Sequence, residues 1–287
     1  MKTKRYLLSI SGILLTAMSS AGWAAATCSS PIGSGPTAIT VAVASNFYEP
    51  GQAVAAEFTQ PGSVGSNANV TICHDATGLL KADIIAANKA GPYDLFLAAD
   101  NDAPLDLETN HSSLVGSNTH FSYVHGIPVL WSNTVDVSAG IPGSFTHLAI
   151  GDPTNAPYGV AAREILVSTG LYVNTAAVDA DTSAVNIPDS TKKIWRYGNI
   201  SQTKTAIETP GEPTFGFIAK SQVCADGTVT GFYHQYPTNK YTAVIQDGIG
   251  LERNGRNPAQ TTAAEDFKDF LLNDSDATLE SFCYILP

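Results

Sequence analysis

The sequence predicts an α/β protein made of two lobes. Short runs of small and β-branched residues alternate with segments of helical spacing, which is the pattern of an α/β fold. A second series of strand-like runs begins near His125, and strand character returns once more from Tyr241. We therefore expect mostly parallel sheets in two lobes, with the second lobe inserted into the first.

Each predicted strand is a run of small, β-branched or aromatic residues, as buried strands usually are. In chain order they are Ala38–Ala44 (AITVAVA), Asn69–Cys73, Tyr93–Ala98 (YDLFLA), Gly126–Ser132, His147–Gly151, Thr214–Ala219 and Tyr241–Ile249. The predicted helices have apolar residues near helical spacing. They are Glu49–Phe58, Gly78–Ala90, a helix beginning at Tyr158–Leu166, and the closing pair Ala263–Leu272 and Ala277–Cys283.

The first 26 residues have the composition of a signal peptide. Basic residues precede the apolar run Leu7–Met18, and Ala24–Ala26 supplies the small residues that a signal peptidase reads. The run is short for a membrane anchor, and Thr27 is a poor residue before a lipidated Cys28. We expect a periplasmic protein cleaved near Ala26. Its remaining chain should form a first lobe (27–125), a second lobe (126–242) and a return to the first lobe (243–287).

The chain is acidic. Its formal charge is −11, and loss of the three leader cations would leave 12 basic against 26 acidic residues, or −14. Nucleic acids and anionic lipids require a basic footprint, so neither is an expected partner. A small anion in a local pocket remains compatible with this charge.

Four cysteines, Cys28, Cys73, Cys224 and Cys283, lie beyond the leader. An even number in an exported protein indicates two disulfides, and four cysteines allow three pairings. We favour Cys28–Cys73 and Cys224–Cys283, since each joins segments nearer the same terminus.

Polar donors follow several strands at the points where helices begin. Ser45-Asn46 follows the first strand and Ala76-Thr77-Gly78 the second, while Pro157-Tyr158-Gly159 and Asn199-Ile200-Ser201 open later helices. Helix N-termini at the carboxyl ends of strands favour anions. The alternative is that these residues only cap their helices. No Lys or Arg stands at these junctions, so an anion site there would use neutral dipoles.

Other chemistry has weaker support in the sequence. The six histidines form no H-x-x-x-H or Cys/His grouping, so no metal site is expected. The G-x-S-x-G motif is absent, and local context indicates no Ser/His/Asp set.

Several long segments resemble the molybdate-binding proteins of ABC transporters. They are VAVASNF, ATGLLKADIIAANKAGPYDLFLAAD, AIGDPTNAPYGVAAREIL, GNISQTKTAIETPGEPTFGFIAKSQV and IQDGIGLERNGRNPAQTTAAEDFKDFLL. The resemblance covers nearly the whole chain after the leader. It implies a two-lobe periplasmic binding protein fold of type II. It also implies a monomer that captures molybdate or tungstate and delivers it to a membrane permease, with no cofactor, no catalysis, and molybdenum present only as the bound oxyanion.

The resemblance also implies which residues bind the oxyanion: Ser45, Asn46, Thr77, Tyr158 and Ile200. Ser45 and Asn46 would use side-chain and backbone donors, Thr77 its hydroxyl, and Tyr158 and Ile200 their backbone N–H groups.

Two departures from the family pattern bear on this site. A tyrosine found in some members falls on Ala219, and Asn46 is expected to replace its hydroxyl. Asp75 would repel a dianion, so we expect it to point away from the pocket.

A pocket that offers only donors suits an oxyanion without a proton. Hydrogen phosphate would leave its own proton unmatched, which costs on the order of 1–3 kcal/mol. Sulfate also carries no proton, so a site that excludes it must do so by size. The donor set does not distinguish molybdate from tungstate. The alternatives are a receptor for another tetrahedral oxyanion such as sulfate, and a secreted hydrolase, which would require a nucleophile–base pair.

Overall fold

A computed structural model describes residues 26–116, 119–211 and 213–287. The expected leader lies outside these residues apart from Ala26. The strands are β1 (Thr27–Cys28), β2 (Thr37–Ala44), β3 (Ala68–Asp75), β4 (Leu95–Leu97), β5 (Phe121–Gly126), β6 (Pro128–Ser132), β7 (Leu148–Gly151), β8 (Ile194–Tyr197), β9 (Gly216–Ala219), β10 (Cys224–Ala225), β11 (Thr228–Val229), β12 (Phe232–Gln235) and β13 (Val244–Gly250).

The helices alternate with these strands along most of the chain. They are α1 (Tyr48–Phe58), α2 (Thr77–Ala87), α3 (Asp102–Asn110), α4 (Pro157–Ser168), α5 (Thr175–Ala180), α6 (Ile200–Glu208), α7 (Pro258–Asn273) and α8 (Asp276–Ser281). No helix in the described part of the chain is long and apolar enough to cross a membrane.

The strands form two main sheets, each the centre of one lobe. The first-lobe sheet has the order β1-β3-β2-β4-β13-β5, and the second-lobe sheet has the order β12-β6-β9-β7-β8. A small hairpin of β10 and β11 lies between β9 and β12 in sequence. The chain crosses from the first sheet to the second between β5 and β6, and it returns between β12 and β13.

The sheets are mixed, so the expectation of mostly parallel sheets was wrong. Pairing is parallel on both sides of β2 and of β7. It is antiparallel wherever a strand next to a crossover takes part: β13 pairs with β4 and β5, and β6 pairs with β9 and β12. The strands that enter a lobe through the hinge, β6 and β13, run against the local βαβ direction, and the apolar pattern of a strand does not record its direction.

Several elements were missed by the sequence analysis, of which β5 matters most for the site. Its sequence, FSYVHG, directly follows a stretch rich in Ser, Asn and His and precedes the predicted strand Gly126–Ser132. The pairing of β5 with β13 shifts register between Gln246 and Asp247, and Tyr123 is the extra residue on the β5 side. Such bulges redirect side chains and are frequent next to functional sites.

Three apolar clusters form the cores. Two pack on the faces of the first-lobe sheet, and the third fills the second lobe. The second-lobe cluster also contains Ala44 and Ala99, which lie where β2 and β4 lead toward the other lobe. The lobes are therefore in contact in this structure.

Two disulfides are present, and they are the pairs favoured from the sequence. Cys28–Cys73 joins β1 to β3 inside the first-lobe sheet. Cys224–Cys283 joins β10 to the segment that follows α8.

Candidate functional site

The five residues proposed from the sequence line one small cavity between the lobes. Its volume is about 10 Å³, and it is lined by Ala44, Ser45, Asn46, Ala76, Thr77, Ala99, Ala156, Pro157, Tyr158 and Ile200. Pockets for organic ligands typically measure ~300–1,000 Å³. In this arrangement of the lobes the cavity is therefore too small for an organic ligand.

Helix starts from both lobes meet at this cavity. Ser45 begins the 3₁₀ helix Ser45–Phe47, and Thr77 begins α2, both in the first lobe. Tyr158 is the second residue of α4, and Ile200 is the first of α6, both in the second lobe. The N–H groups of a helix's first turn have no partner inside that helix. Four sets of backbone donors, each at a positive dipole end, thus face one space.

The capping interpretation fails at three of these four starts. The N-cap residues are Ala44, Ala76 and Ala156, and none has a side-chain cap hydrogen bond. Only α6 is capped, by Asn199, whose side chain accepts from the Gln202 N–H. Alanine is among the poorest N-cap residues and costs on the order of 1 kcal/mol relative to serine or asparagine. The helix starts are therefore left without the caps that would compete with an anion.

The hydroxyls of Thr77 and Ser45 are both held in place. Thr77 Oγ1 accepts from the Ala99 N–H at 3.0 Å, which leaves its own proton available to a ligand. Ser45 Oγ lies 2.9 Å from His74 Nδ1. Burial lowers the pKa of His74, although the nearby Asp75 carboxylate acts in the opposite direction. A neutral imidazole that donates from Nδ1 would leave the Ser45 proton free.

Asn46 is held more tightly than the sequence suggested. Its Nδ2 donates to Gln246 Oε1 at 2.9 Å and to the Tyr284 hydroxyl at 2.8 Å. Its Oδ1 is buried and has no partner among the described residues. Both amide protons are thus used inside the first lobe, and Ala219 is not among the cavity-lining residues. Side-chain donation from Asn46 in place of a hydroxyl at Ala219 stays a prediction, and it requires the amide to turn by 180°.

Asp75 bonds across the lobes. Its Oδ1 accepts from the Ala76 N–H at 2.8 Å and from Asn199 Nδ2 at 2.9 Å. Asp75 is buried and is not among the residues that line the cavity. Its charge is therefore matched by donors from both lobes.

Further contacts close the lobes around the cavity. The Gly78 N–H donates to Asn155 O at 2.9 Å, and Ser201 Oγ donates to Ser45 O at 3.2 Å. Gln246 Nε2 donates to the Tyr158 hydroxyl at 2.9 Å. No sequence pattern singled out Gln246, because a polar residue inside an apolar strand acquires a partner only in the folded protein.

Two wider clefts flank the cavity and differ in charge. One has a volume of about 330 Å³ and is lined by Ser45, Asn46 and His74 together with Glu49 and Lys204. The other measures about 270 Å³, reaches the returning strand at Thr242–Ile245, and carries Asp100, Asp102 and Glu164 against one cation, Lys81. An anion is repelled less at the first cleft.

The comparisons with known proteins bear on this arrangement. A family model described as a bacterial extracellular solute-binding protein matches residues 39–282. The molybdate-binding protein ModA of Azotobacter vinelandii is 31% identical over 227 residues, which cover 77% of this chain and 80% of that protein. ModA of Rhodobacter capsulatus is 30% identical over 237 residues, with 81% and 82% covered. This chain belongs to the bacterial extracellular solute-binding proteins.

The fold of this chain is also similar to those of solved solute-binding proteins. The periplasmic molybdate-binding protein of Azotobacter vinelandii has a TM-score of 0.71 at 23% identity, with 87% of this chain and 99% of that chain covered. The sulfate-binding protein SubI of Mycobacterium tuberculosis has a TM-score of 0.57 at 13% identity, with 86% and 85% covered. The predicted two-lobe fold of type II is confirmed. Because SubI shares it, the fold alone does not choose the ligand.

One contact in this solute-binding protein corrects the sequence analysis. Local context indicated no nucleophile–base pair, yet Ser45 Oγ and His74 Nδ1 are within hydrogen-bond distance. Ser45 directly follows β2 and His74 lies near the end of β3, and the parallel pairing of these two strands sets their carboxyl ends side by side. Among the described residues no group of three or more His, Cys, Asp or Glu side chains could hold a metal ion.

Proposed function

We propose that this solute-binding protein captures molybdate or tungstate in the cavity between its lobes. The observation that carries the proposal is the set of uncapped helix starts that face one small space without a Lys or Arg among the lining residues. The two curated relatives are named for binding molybdate, which supports the same ligand here. Ser45, Asn46, Thr77, Tyr158 and Ile200 would supply the donors.

The chemistry of the donor set favours an oxyanion that carries no proton. Hydrogen phosphate needs an acceptor for its proton, and a missing acceptor costs on the order of 1–3 kcal/mol. Sulfate has no such need, so its exclusion rests on its shorter bonds, which would leave some donors out of reach. A receptor for sulfate is the second candidate among binding proteins. The donor set does not distinguish molybdate from tungstate.

Calorimetry of the mature protein with molybdate, tungstate, sulfate and phosphate in turn tests the ligand. We expect tight binding of the first two. The double variant Ser45→Ala/Thr77→Ala should weaken binding by about 100-fold, since it removes two hydroxyl donors worth ~1–1.5 kcal/mol each. Its matched control is Ser112→Ala/Thr175→Ala, in which both hydroxyls are on exposed residues. Tight sulfate binding without molybdate binding would refute the ligand, and unchanged affinity in the double variant would refute the site.

The cellular role extends the same proposal. The protein would be exported with cleavage near Ala26, act in the periplasm as a monomer, and deliver its ligand to the permease of an ABC transporter. The lobes would consist of residues 27–125 with 243–287 and of residues 126–242. The membership of the two sheets supports this division, because it changes between β5 and β6 and again between β12 and β13. Closure of the lobes would be a hinge motion about these crossovers.

The Ser45–His74 contact raises hydrolysis as a rival function. A nucleophile–base pair normally has a third group that orients the base. The nearest acid in sequence, Asp75, bonds instead to the Ala76 N–H and to Asn199. We therefore propose binding without catalysis. Hydrolysis of p-nitrophenyl acetate at a rate that Ser45→Ala abolishes would support the rival.

A further inference from the structure

The disulfide Cys224–Cys283 connects the two lobes. Cys224 lies in β10, and its neighbours Val223 and Val229 pack in the second-lobe core. On the other side, Phe282 and Tyr284, which flank Cys283, pack in the first-lobe core. The bond is therefore a third covalent link between the lobes, in addition to the two chain crossovers.

This link lies beside the candidate anion site. Ser221 Oγ, three residues before Cys224, donates to Asn46 O at 3.1 Å. The Tyr284 hydroxyl, next to Cys283, donates to the same oxygen at 3.0 Å. One donor comes from each lobe, and the disulfide joins the segments that carry them.

The link also lies close to a crossover. Ile285 pairs with His125, one residue before the end of β5. Beside it, the Gly227 N–H of the β10–β11 turn donates to Ser281 O at 2.9 Å. A bond placed near the crossover permits a small rotation of the lobes and opposes a wide one.

We infer that Cys224–Cys283 is a positioning disulfide of the anion site. It limits how far the cleft opens and keeps Ser221 and Tyr284 at Asn46 when the lobes separate. The hydrogen bonds between the lobes exchange with water on opening, whereas a covalent link persists. The consequence for affinity rests on the proposed function, but the consequence for lobe opening does not depend on the ligand.

The other disulfide supplies a matched control. Cys28–Cys73 spans 45 residues and Cys224–Cys283 spans 59, so loop-closure entropy gives the two bonds similar effects on stability. Only the second joins the lobes. We therefore compare lobe opening in two variants, Cys224→Ser/Cys283→Ser and Cys28→Ser/Cys73→Ser. A difference between them measures the effect of the covalent link between the lobes.

Small-angle X-ray scattering of the ligand-free proteins measures this opening. A compact chain of this size has a radius of gyration of roughly 18 Å. We expect Cys224→Ser/Cys283→Ser to raise it by about 1 Å and Cys28→Ser/Cys73→Ser to leave it unchanged. Molybdate affinity, measured by calorimetry, should fall about 5-fold in the first variant alone, because a smaller fraction of its ligand-free molecules is ready to close.

Equal radii and equal affinities in the two variants would overturn the inference. If neither variant nor the unaltered protein bound any of the four oxyanions, the proposed function would fail, while the scattering result would still decide the role of the link. Should Cys224→Ser/Cys283→Ser not fold, the Cys224–Cys283 bond of Cys28→Ser/Cys73→Ser is replaced by a longer bis-alkylated link between the same two sulfur atoms, and only protein that keeps its far-ultraviolet circular dichroism is measured. No change in radius when the link is lengthened would then refute the inference.

Discussion

His74 shows how one residue changes meaning between sequence and structure. No sequence pattern assigned it a role. In the structure its Nδ1 contacts Ser45 Oγ, and its ring packs against the Tyr48 ring at a tilt of 34°, with centroids 4.0 Å apart. Burial lowers its pKa from 6.5, so the folded protein prefers the neutral imidazole. His74 thereby orients a neutral hydroxyl at the cavity without adding a charge.

The lowered pKa of His74 predicts how stability depends on pH. The unfolded chain binds the proton first as the pH falls, so the stability present above pH 6.5 is lost as the pH falls through the lower pKa of the folded state. His74→Gln, which keeps a polar side chain, should flatten this part of the profile. Urea unfolding of the ligand-free protein between about pH 8 and about pH 5 measures it. His234→Gln is the control, and an identical profile for His74→Gln and the unaltered protein would contradict the prediction.

At the scale of elements, the alanine-started helices are the main feature of the site. Ala44, Ala76 and Ala156 stand where Ser, Thr, Asn or Asp would stabilise a helix. The loss of helix stability is consistent with a site that keeps its N–H groups for a ligand.

The chain is also tightly packed where it crosses between the lobes, at Gly126. A Cβ on Gly126 would lie 2.0 Å from the Tyr158 hydroxyl and 2.4 Å from Gln246 Nε2.

Gly126→Ala should therefore disturb the junction of β5 with α4. We expect a loss of unfolding free energy of about 1–3 kcal/mol from overpacking, measured by urea titration. Adding Tyr158→Phe removes the nearest clashing atom and keeps the backbone N–H at the cavity. The double variant should recover part of that loss, and the Gln246 contact should prevent full recovery. Neutral behaviour of Gly126→Ala would show that the lobes do not pack this closely in solution.

At the scale of the whole molecule, an acidic protein is proposed to bind an anion. The formal charge is −11 for the full chain, so the mean field repels the ligand while the local dipoles attract it. Screening acts mainly on the long-range part, because the Debye length is ~10 Å at about 0.1 M salt. The cleft that carries Glu49 and Lys204 offers less repulsion than the cleft that carries Asp100, Asp102 and Glu164 against Lys81.

The association rate of molybdate should therefore rise with ionic strength. We expect an increase of about 2- to 5-fold between ~0.01 M and ~0.2 M sodium chloride, as repulsion is screened. Stopped-flow tryptophan fluorescence at constant pH measures the rate. The double variant Asp100→Asn/Asp102→Asn tests whether the acidic cleft contributes: it should leave the slope nearly unchanged if the anion enters from the other side. A rate that falls with salt would show that a local cationic field dominates.

Much of the site was predictable because it is local in sequence. A strand followed directly by Ser45-Asn46, or by Ala76-Thr77, places donors at a helix start wherever the rest of the chain goes. The family resemblance then grouped these junctions with Tyr158 and Ile200, and all five residues line one cavity. The N-cap residues were harder to predict from the sequence, because a shift of one residue decides whether Thr77 caps the helix or begins it.

The rest depended on contacts between distant segments. Gln246 is 200 residues from Asn46 in sequence and is hydrogen-bonded to it. The pairing of Cys224 with Cys283 was favoured from the sequence, but its position between the lobes follows from the packing of each flank.

The sequence by itself determined the α/β class, the acidic charge and the uncharged donors at the strand ends, because composition and short-range spacing fix these properties. Only the tertiary structure decided strand direction, the partners of His74 and Asn46, and the lobe to which each cysteine belongs. These depend on how sheets and lobes bring together residues that are far apart along the chain, and apolar periodicity does not record that arrangement.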